Sequence, residues 1–155
     1  MTPEETPEKR LTTLGIVLPL PPAPGGNYLP AKQAGSLLFL AGVISSDENG
    51  VLTGIVGADR TVEEGREAAR RCALTQLAVI RQALGTLDRV EHIVSVNGYI
   101  NTVSRFADSP RVINGASDLL VEVFGESGRH VRAAIGVAAL PRNAIVELQM
   151  VVAVR

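Results

Sequence analysis

The C-terminal segment constrains the fold of this chain more than any other stretch of its sequence. Apolar residues fill both alternating sets of positions there: Ile145, Val146, Leu148, Met150, Val151, Val152, Ala153 and Val154. Successive side chains of a β-strand point to opposite faces of the sheet, so a strand of this composition is apolar on both faces. Such a strand has to be covered from both sides, which predicts packed layers on each face of a sheet.

Two amphipathic helices are predicted to cover one of those faces. The first begins with a capping-box sequence at Thr61–Glu64 and continues to Gly85. The second follows the polar cap and proline at Asp108–Pro110 and ends at Gly125. Apolar residues recur in both helices at intervals of three and four, which indicates one apolar stripe on each helix.

Strands are predicted on either side of these helices, with a turn at Asn49-Gly50. They comprise residues 15–20, 37–44, 51–52, 93–102, 131–139 and 144–154. Hairpins mixed with helical crossovers indicate an α+β fold: a mixed sheet of about six strands with the two main helices on one face. Thr2 and Pro3 have the pattern of a helix start, so we expect a short helical extension at residues 1–14 and a single domain at residues 15–155.

The second face of the sheet has no evident cover within the chain. Two helices suffice for one face, and only the short N-terminal helix is left for the other. We therefore expect another subunit to cover it, the simpler alternative being a half-exposed sheet face.

Composition argues against several classes of function. The chain has 155 residues, a net charge of −1 and one cysteine, so neither a disulfide framework nor a general attraction to nucleic acid is expected. Two histidines without a cysteine cluster leave no ligand set for structural zinc, and no cofactor motif is present. No apolar run is long enough to span a membrane and the first residues do not resemble a signal peptide, which favours a cytoplasmic protein.

One charged residue stands out among otherwise ordinary positions. Cys72 is expected in the core, and His92 and His130 are expected in surface or turn positions at strand entrances. Arg132 is different, because the rest of its predicted strand is apolar or small and a guanidinium keeps its charge there. It must reach solvent, pair with a carboxylate or bind an anionic ligand.

Glu147 poses the matching question in the next predicted strand. If the last two strands form a hairpin in which Leu140 pairs with Asn143, positions of opposite parity share a face. Glu147 then lies opposite Gly136 and on the same face as Arg132, about 13 Å away along the strand. Two interpretations stay open: a partly solvated ion pair or separate surface charges, and a polar cleft with a carboxylate-binding arginine at one end and a water-handling glutamate at the other.

Three segments of the chain carry a more specific pattern. They are residues 35–42 (GSLLFLAG), residues 112–115 (VING) and residues 131–148, where the arginine strand leads to a Leu-Pro turn and then to Val-Glu-Leu. Together they resemble the reactive intermediate deaminase A (RidA) family, also called YjgF or endoribonuclease L-PSP, over about residues 15–155. The resemblance implies a chorismate-mutase-like fold that assembles as a homotrimer with ligand clefts between subunits.

The same resemblance implies an activity and a set of site residues. Deaminases of this family hydrolyse short-lived enamines and imines, such as 2-aminoacrylate, to a 2-oxo acid and ammonia without a cofactor, so the expected ligand is a small carboxylate. Carried over to this sequence, Arg132 binds the substrate carboxylate and Glu147 orients or activates the attacking water. The implied substrate-binding positions are Tyr28, Gly42, Asn114 and Ala134.

The sequence departs from the family pattern in ways that keep other functions open. Ala41 stands where active deaminases commonly carry serine, Ala134 stands where cysteine is common, and residues 106–114 form a longer segment. One alternative is a non-catalytic trimer that binds small carboxylates. A ribonuclease is the other, and the slightly negative net charge argues against it.

Overall fold

The computed structural model describes residues 5–155, so the predicted helix start at Thr2 and Pro3 lies outside the described residues. The helices are α1 (Pro7–Thr13), α2 (Val62–Leu84) and α3 (Ser109–Phe124). The strands are β1 (Ala31–Ala34), β2 (Leu37–Leu40), β3 (Val43–Ile44), β4 (Ser46–Asp47), β5 (Gly50–Val51), β6 (Val90–Asn101), β7 (Val131–Val137) and β8 (Val146–Val154). Short 3₁₀ turns follow α2, α3 and β7.

Six of the strands form one mixed sheet. Its order is β1-β2-β8-β6-β7, and β3 also pairs with β8. β6 and β7 run parallel, whereas the other neighbouring strands of the sheet are antiparallel. β4 and β5 form a separate small hairpin around Asn49, as predicted. The predicted α+β architecture with about six strands is confirmed.

The two long helices begin and end close to the predicted positions. The Thr61 hydroxyl accepts from the backbone N–H of Glu64, and the Glu64 carboxylate accepts from the N–H of Thr61. Gly85 closes α2 in the left-handed conformation at φ 86°, and α3 ends immediately before Gly125. Both helices pack on one face of the sheet, here called the helical side. The buried strand residues beneath them include Ile93, Val96, Ile100, Val146, Leu148, Met150 and Val152.

Two glycines permit the close approach of these layers. A Cβ atom at Gly115 on α3 would collide with the backbone carbonyl of Arg66 on α2. One at Gly98 on β6 would collide with the side chain of Ile113 on α3. The observed spacing of α3 from α2 and from the sheet therefore depends on the missing side chains at both positions.

The N-terminal helix α1 also docks on the helical side. Leu11 is buried in the common core, and the Glu8 carboxylate accepts hydrogen bonds from Arg81 at 2.7 and 3.1 Å and from the Leu87 N–H at 2.9 Å. Burial opposes the charge on Glu8, but the hydrogen bonds outweigh it and hold the pKa of Glu8 below its ordinary value. Because α1 is anchored here, it adds no cover to the other face of the sheet.

Two parts of the strand prediction are wrong. Residues 15–20 form no strand, since Gly15 adopts a positive φ of 69° and Pro19 has no N–H to donate to a ladder. β1 was not predicted, because its sequence Ala-Lys-Gln-Ala lacks the β-branched and aromatic residues typical of strands. It pairs with β2 through a turn that begins at Gly35, where φ is 61°.

The sheet face opposite the helices, here called the uncovered face, carries apolar side chains in the open. Phe39, Val131 and Ile135 lie on it and are 46%, 70% and 48% exposed. The part of the chain that the structure describes has no helix on this side of the sheet. Large apolar side chains exposed on one sheet face are typical of a protein-protein interface.

Candidate functional site

The strands that carry Arg132 and Glu147 are not neighbours. β6 lies between them, parallel to β7 and antiparallel to β8. The predicted hairpin with Leu140 opposite Asn143 is therefore wrong. Those two residues belong instead to a connection that carries the chain past β6 and includes a 3₁₀ turn.

This strand order places the two charged side chains on opposite faces of the sheet. Arg132 is in register with Val96 and Met150, both of which are buried beneath the helices. Glu147 alternates with the buried Leu148 and so points to the uncovered face. The prediction that they share a face is wrong. Two strand spacings and an offset of three residues put their Cα atoms about 14 Å apart.

Glu147 lies in an open groove on the uncovered face. The groove has a volume of about 390 Å³, enough for a small organic acid. Its lining comprises Gly42, Tyr99, Val137, Leu140, Pro141, Glu147 and Gln149. The connection after β7 forms one wall, and residues of β6 and β8 contribute to the floor.

The Glu147 carboxylate is half-buried, and this burial disfavours its charged form. No hydrogen-bond donor among residues 5–155 reaches it, and burial raises the pKa of Glu147 above its ordinary value. A Cβ atom at Gly42 would lie 2.6 Å from Glu147 Oε2, so the carboxylate fills the space that a side chain at position 42 would need. A carboxyl with a raised pKa exchanges protons nearer neutral pH, which suits proton transfer with water.

A buried glutamine holds the backbone next to this carboxylate. Ala41 and Gly42 separate β2 from β3, and Gln76 on α2 donates from its amide to the carbonyls of Ala41 and Leu148, both at 2.9 Å. The break between the strands is thereby fixed to β8 beside Glu147. The Gln76 Oε1 atom is buried without a partner among the described residues.

Cys72 is buried in the core, as predicted, behind the same strands. Its sulfur lies 3.6 Å from the carbonyl oxygens of Val43 and Val146. Burial and, to a smaller extent, the charge of Glu147 raise the pKa of the Cys72 thiol far above its ordinary value. The thiol is therefore an inert packing group.

Arg132 lies on the helical side, on the strand at the end of the sheet order. Its guanidinium donates to the Ser117 hydroxyl at 3.0 Å and to the Pro110 carbonyl at 3.1 Å, both on α3. Neither acceptor is charged, and no carboxylate within residues 5–155 pairs with this arginine. Its positive charge therefore remains available to an anionic ligand.

Asn114 and Ala134 lie on the Arg132 side. Asn114 falls between Pro110 and Ser117 on one face of α3, since these positions are four and three residues apart. Ala134 lies two residues after Arg132 on β7, so it is on the same face of the sheet, and it packs against the core. The structure thus brings these two predicted residues towards Arg132 and not towards Glu147.

Tyr28 and Gly42 are the two remaining residues that were predicted to bind substrate. Gly42 lines the Glu147 groove, and the N–H of Ala41 beside it donates to the carbonyl of Pro30 at 2.9 Å. Tyr28 is in the loop just before Pro30, half exposed, and its hydroxyl accepts from the Gly25 N–H at 3.0 Å. The six predicted site residues are therefore divided between two separate sides of the chain.

Ser117 and His130 are polar residues of the Arg132 side that the sequence did not assign to a site. Ser117 Oγ lies 2.8 Å from His130 Nε2. His130 stands at a strand entrance, as predicted, in the connection between the 3₁₀ turn after α3 and β7, and it is half-buried. The spacing of Ser117 from Asn114 on α3 is the one sequence signal that could have found it.

Other parts of the molecule offer less chemistry. A groove of about 420 Å³ lies between residues 17–22, the β4–β5 hairpin and α2, but its Arg71 pairs with Glu48 at 3.7 Å and with Glu67 at 3.3 Å. Within residues 5–155, no three histidine, cysteine, aspartate or glutamate side chains are placed to hold a metal ion. None of the helices in that range is long and apolar enough to cross a membrane.

Comparison with known proteins connects this architecture with a family. The model of the family "YjgF/chorismate_mutase-like, putative endoribonuclease" matches residues 8–154. Protein TCP17 of Trypanosoma cruzi is 45% identical over 144 residues, which cover 92% of this chain and 90% of that protein. The 2-iminobutanoate/2-iminopropanoate deaminase of Dermatophagoides farinae is 31% identical over 141 residues, which cover 90% and 94%.

A solved structure agrees with the sequence comparisons. The crystal structure of the protein Atu1372 from Agrobacterium tumefaciens, whose function is unknown, superimposes with a TM-score of 0.87 at 38% identity. The match covers 97% of this chain and 93% of that one. This chain therefore belongs to the YjgF/chorismate-mutase-like family, and the resemblance to RidA proteins is confirmed. It is a RidA/YjgF-type protein, from a family known for binding small molecules.

Proposed function

We propose that this protein hydrolyses small enamines and imines that carry a carboxylate, such as 2-aminoacrylate, to a 2-oxo acid and ammonia. The observation that supports this most directly is the uncompensated Glu147 carboxyl, with its raised pKa, in a groove of suitable size. Arg132, a guanidinium without a charged partner among the described residues, supplies the complementary group. A relative named as an imine deaminase is 31% identical to this chain.

The reaction needs both groups at one ligand, so we infer that two copies of the chain form the site. One copy contributes its Arg132 side, and a neighbouring copy contributes the groove with Glu147 and Gly42. The exposed apolar residues of the uncovered face, Phe39 and Ile135 among them, provide a surface for such an assembly. A homotrimer with clefts between its subunits is the arrangement we propose.

In this arrangement Arg132 binds and orients the substrate. A guanidinium has five N–H donors, of which Arg132 uses two within its own chain. The remaining donors bind the substrate carboxylate in a bidentate pair, a geometry that lysine does not offer. Holding the substrate in a reactive orientation contributes several kcal/mol to catalysis, on the order of what positioning gives in other enzymes.

Glu147 transfers the protons. An enamine first takes a proton from solvent at its methylene carbon, which gives the protonated imine. Glu147 takes a proton from water as the water oxygen attacks the carbon of the C=N bond, and a carbinolamine forms. Glu147 then gives this proton to nitrogen, the C–N bond breaks as the hydroxyl group loses its proton to Glu147 and becomes the C=O group, and ammonia and the 2-oxo acid remain. Water supplies the new oxygen, so the reaction balances without a cofactor.

A direct test measures ammonia and 2-oxo acid released from 2-aminoacrylate that a dehydratase generates in the same reaction. The wild-type protein is expected to accelerate release above the non-enzymatic rate. Arg132→Ala is expected to lower kcat/KM about 100-fold through lost substrate binding, and Glu147→Gln is expected to lower kcat by about 100-fold or more. Arg70→Ala and Glu91→Gln change residues outside both sides of the site and serve as matched controls.

The outcomes separate the alternatives. No acceleration by folded wild-type protein, or equal activity in all four variants, contradicts the proposed reaction. Binding of 2-oxobutanoate without any turnover would instead support a protein that binds small carboxylates. RNA cleavage that Glu147→Gln abolishes would support a ribonuclease.

A further inference from the structure

Arg132 is the last member of a chain of four polar groups on the helical side. The Gly128 carbonyl, the His130 ring, the Ser117 hydroxyl and the Arg132 guanidinium follow one another at 2.7, 2.8 and 3.0 Å. Gly128 belongs to the turn after α3, and Ser117 lies on α3 itself. Arg132 lies on β7, the strand that begins directly after His130. The hydrogen bonds therefore join α3 to the beginning of the strand that carries Arg132.

Chemistry fixes the direction of these hydrogen bonds. A backbone carbonyl only accepts, so His130 Nδ1 carries the proton and donates to Gly128. In the neutral ring Nε2 is then an acceptor, and the Ser117 hydroxyl donates to it. With its proton committed in this way, Ser117 presents lone pairs to Arg132, which donates to them.

The surrounding charges favour the neutral ring. Burial lowers the pKa of His130, the Gly128 carbonyl acts in the opposite direction, and the positive charge of Arg132 adds to the lowering. On α3, Asp118 is paired with Arg66 at 3.6 Å. On the turn after α3, Glu126 is paired with Arg129 at 3.1 Å. His130 therefore remains an acceptor for Ser117 at neutral pH.

Two hydrogen bonds hold the Arg132 guanidinium in a fixed orientation. Ser117 holds one terminal nitrogen and the Pro110 carbonyl holds the other, so the planar group is attached to α3 at two points. Both contacts are neutral and leave its charge and three N–H groups unused. An arginine that is immobilised before the ligand arrives loses less conformational freedom when it binds a carboxylate.

We propose that Ser117 and His130 are positioning residues for substrate binding: through Ser117, the His130 ring holds the Arg132 guanidinium in the orientation that receives the substrate carboxylate. Neither residue touches the substrate, and both act through Arg132. This inference rests on the proposed function, because it assumes that Arg132 binds a carboxylate. It assigns roles to two residues and explains why a half-buried histidine stands at the entrance of β7.

The test separates binding from turnover. Calorimetric titration with 2-oxobutanoate gives Kd, and the 2-aminoacrylate assay gives KM and kcat. Ser117→Ala is expected to raise Kd and KM about tenfold and to leave kcat within about twofold, since the arginine loses one of two neutral anchors. His130→Ala is expected to have the same kind of effect, smaller in size. Alanine is a better helix former than serine, so Ser117→Ala is expected to fold.

Conservative variants and matched controls show whether the hydrogen bonds are responsible. Ser117→Thr keeps the hydroxyl, and His130→Gln keeps an acceptor near the position of Nε2, so both are expected to retain a Kd within about twofold of wild type. Ser104→Ala and His92→Ala alter exposed residues that lie outside the hydrogen-bonded chain. Melting temperature and oligomeric mass confirm that each variant is folded and assembled.

Each result bears on a distinct statement. Unchanged Kd and KM in Ser117→Ala, beside a wild-type protein that binds 2-oxobutanoate, overturns the positioning role and leaves the proposed function intact. A fall in kcat alone, with unchanged Kd, also overturns it. A wild-type protein that neither binds 2-oxobutanoate nor hydrolyses 2-aminoacrylate overturns the proposed function and this inference together.

Discussion

The Glu147 carboxylate is held against Gly42 in a half-buried position that no donor among residues 5–155 compensates. Unfolding returns the group to water, where its charged form is better solvated. A pKa that is higher in the folded chain means that the folded chain binds a proton more readily than the unfolded chain. The charge on Glu147 therefore lowers the stability of the fold, as is common for residues whose surroundings serve a reaction.

The unfavourable burial of the Glu147 charge predicts how the stability of the fold changes with pH. As pH rises from the ordinary pKa of 4.5 through the raised pKa in the folded chain, the free energy of unfolding falls, and above that window the loss is constant. Glu147→Gln removes the charge and is expected to raise the free energy of unfolding at pH 7 by about 0.5–1 kcal/mol, with solvent screening of the half-buried group included.

Urea denaturation at fixed protein concentration and several pH values measures this difference. The gain in Glu147→Gln should vanish near pH 4, where the wild-type group is protonated in both states. Glu91→Gln, at an exposed position on β6, should show little gain at either pH. A Glu147→Gln variant that is less stable than wild type at pH 7 would contradict the assigned environment.

Single residues were predictable from sequence where the local pattern itself is unusual. Arg132 and Glu147 stand out because each is a charged residue in an apolar strand, and the structure gives each an uncompensated position. Ser117 and His130 could not be recognised in this way. Their meaning depends on a contact between α3 and the start of β7 that local sequence does not encode.

At the level of elements, α3 determines how the Arg132 side is built, because it supplies Pro110, Asn114 and Ser117. Its position depends on the close approach to α2 at Gly115. Gly115→Ala is expected to lower the free energy of unfolding by about 1–3 kcal/mol, despite a gain of about 1 kcal/mol in helix propensity. The new methyl group would meet the Arg66 backbone carbonyl, which cannot rotate away as a side chain could.

Chemical denaturation checks this prediction against a matched glycine. At Gly25 the nearest atom to an added Cβ is the Tyr28 hydroxyl at 3.7 Å, an ordinary contact, so Gly25→Ala should change stability by less than about 0.5 kcal/mol. A Gly115→Ala variant as stable as wild type would show that the α2–α3 spacing is not restricted at this point.

The helices were predictable because their ends are determined by neighbouring residues. The capping box at Thr61–Glu64 and the glycines Gly85 and Gly125 act within a few residues of where they stand. Strand pairing was less predictable, since it depends on contacts between distant parts of the chain. The insertion of β6 between β7 and β8 changed both the register and the face assigned to Arg132 relative to Glu147.

At the level of the whole molecule, the predicted site residues form two groups on opposite faces of one sheet. The helical side carries Arg132, Asn114 and Ala134, and the groove on the uncovered face carries Glu147 and Gly42. The uncovered face is also where apolar side chains are exposed. A deaminase site that uses both groups therefore requires the assembly of copies, which makes oligomerisation a condition of the proposed activity.

The measurement that tests this most directly is complementation between two inactive variants. Arg132→Ala and Glu147→Gln chains are co-expressed in equal amounts with different tags, and oligomers that contain both are isolated and assayed with 2-aminoacrylate. If each site takes Arg132 from one copy and Glu147 from its neighbour, the isolated mixed trimers should show about one third of wild-type activity, because one of the three sites in each mixed trimer then has both intact residues. Mixed oligomers with no more activity than either variant alone would contradict a site shared between subunits.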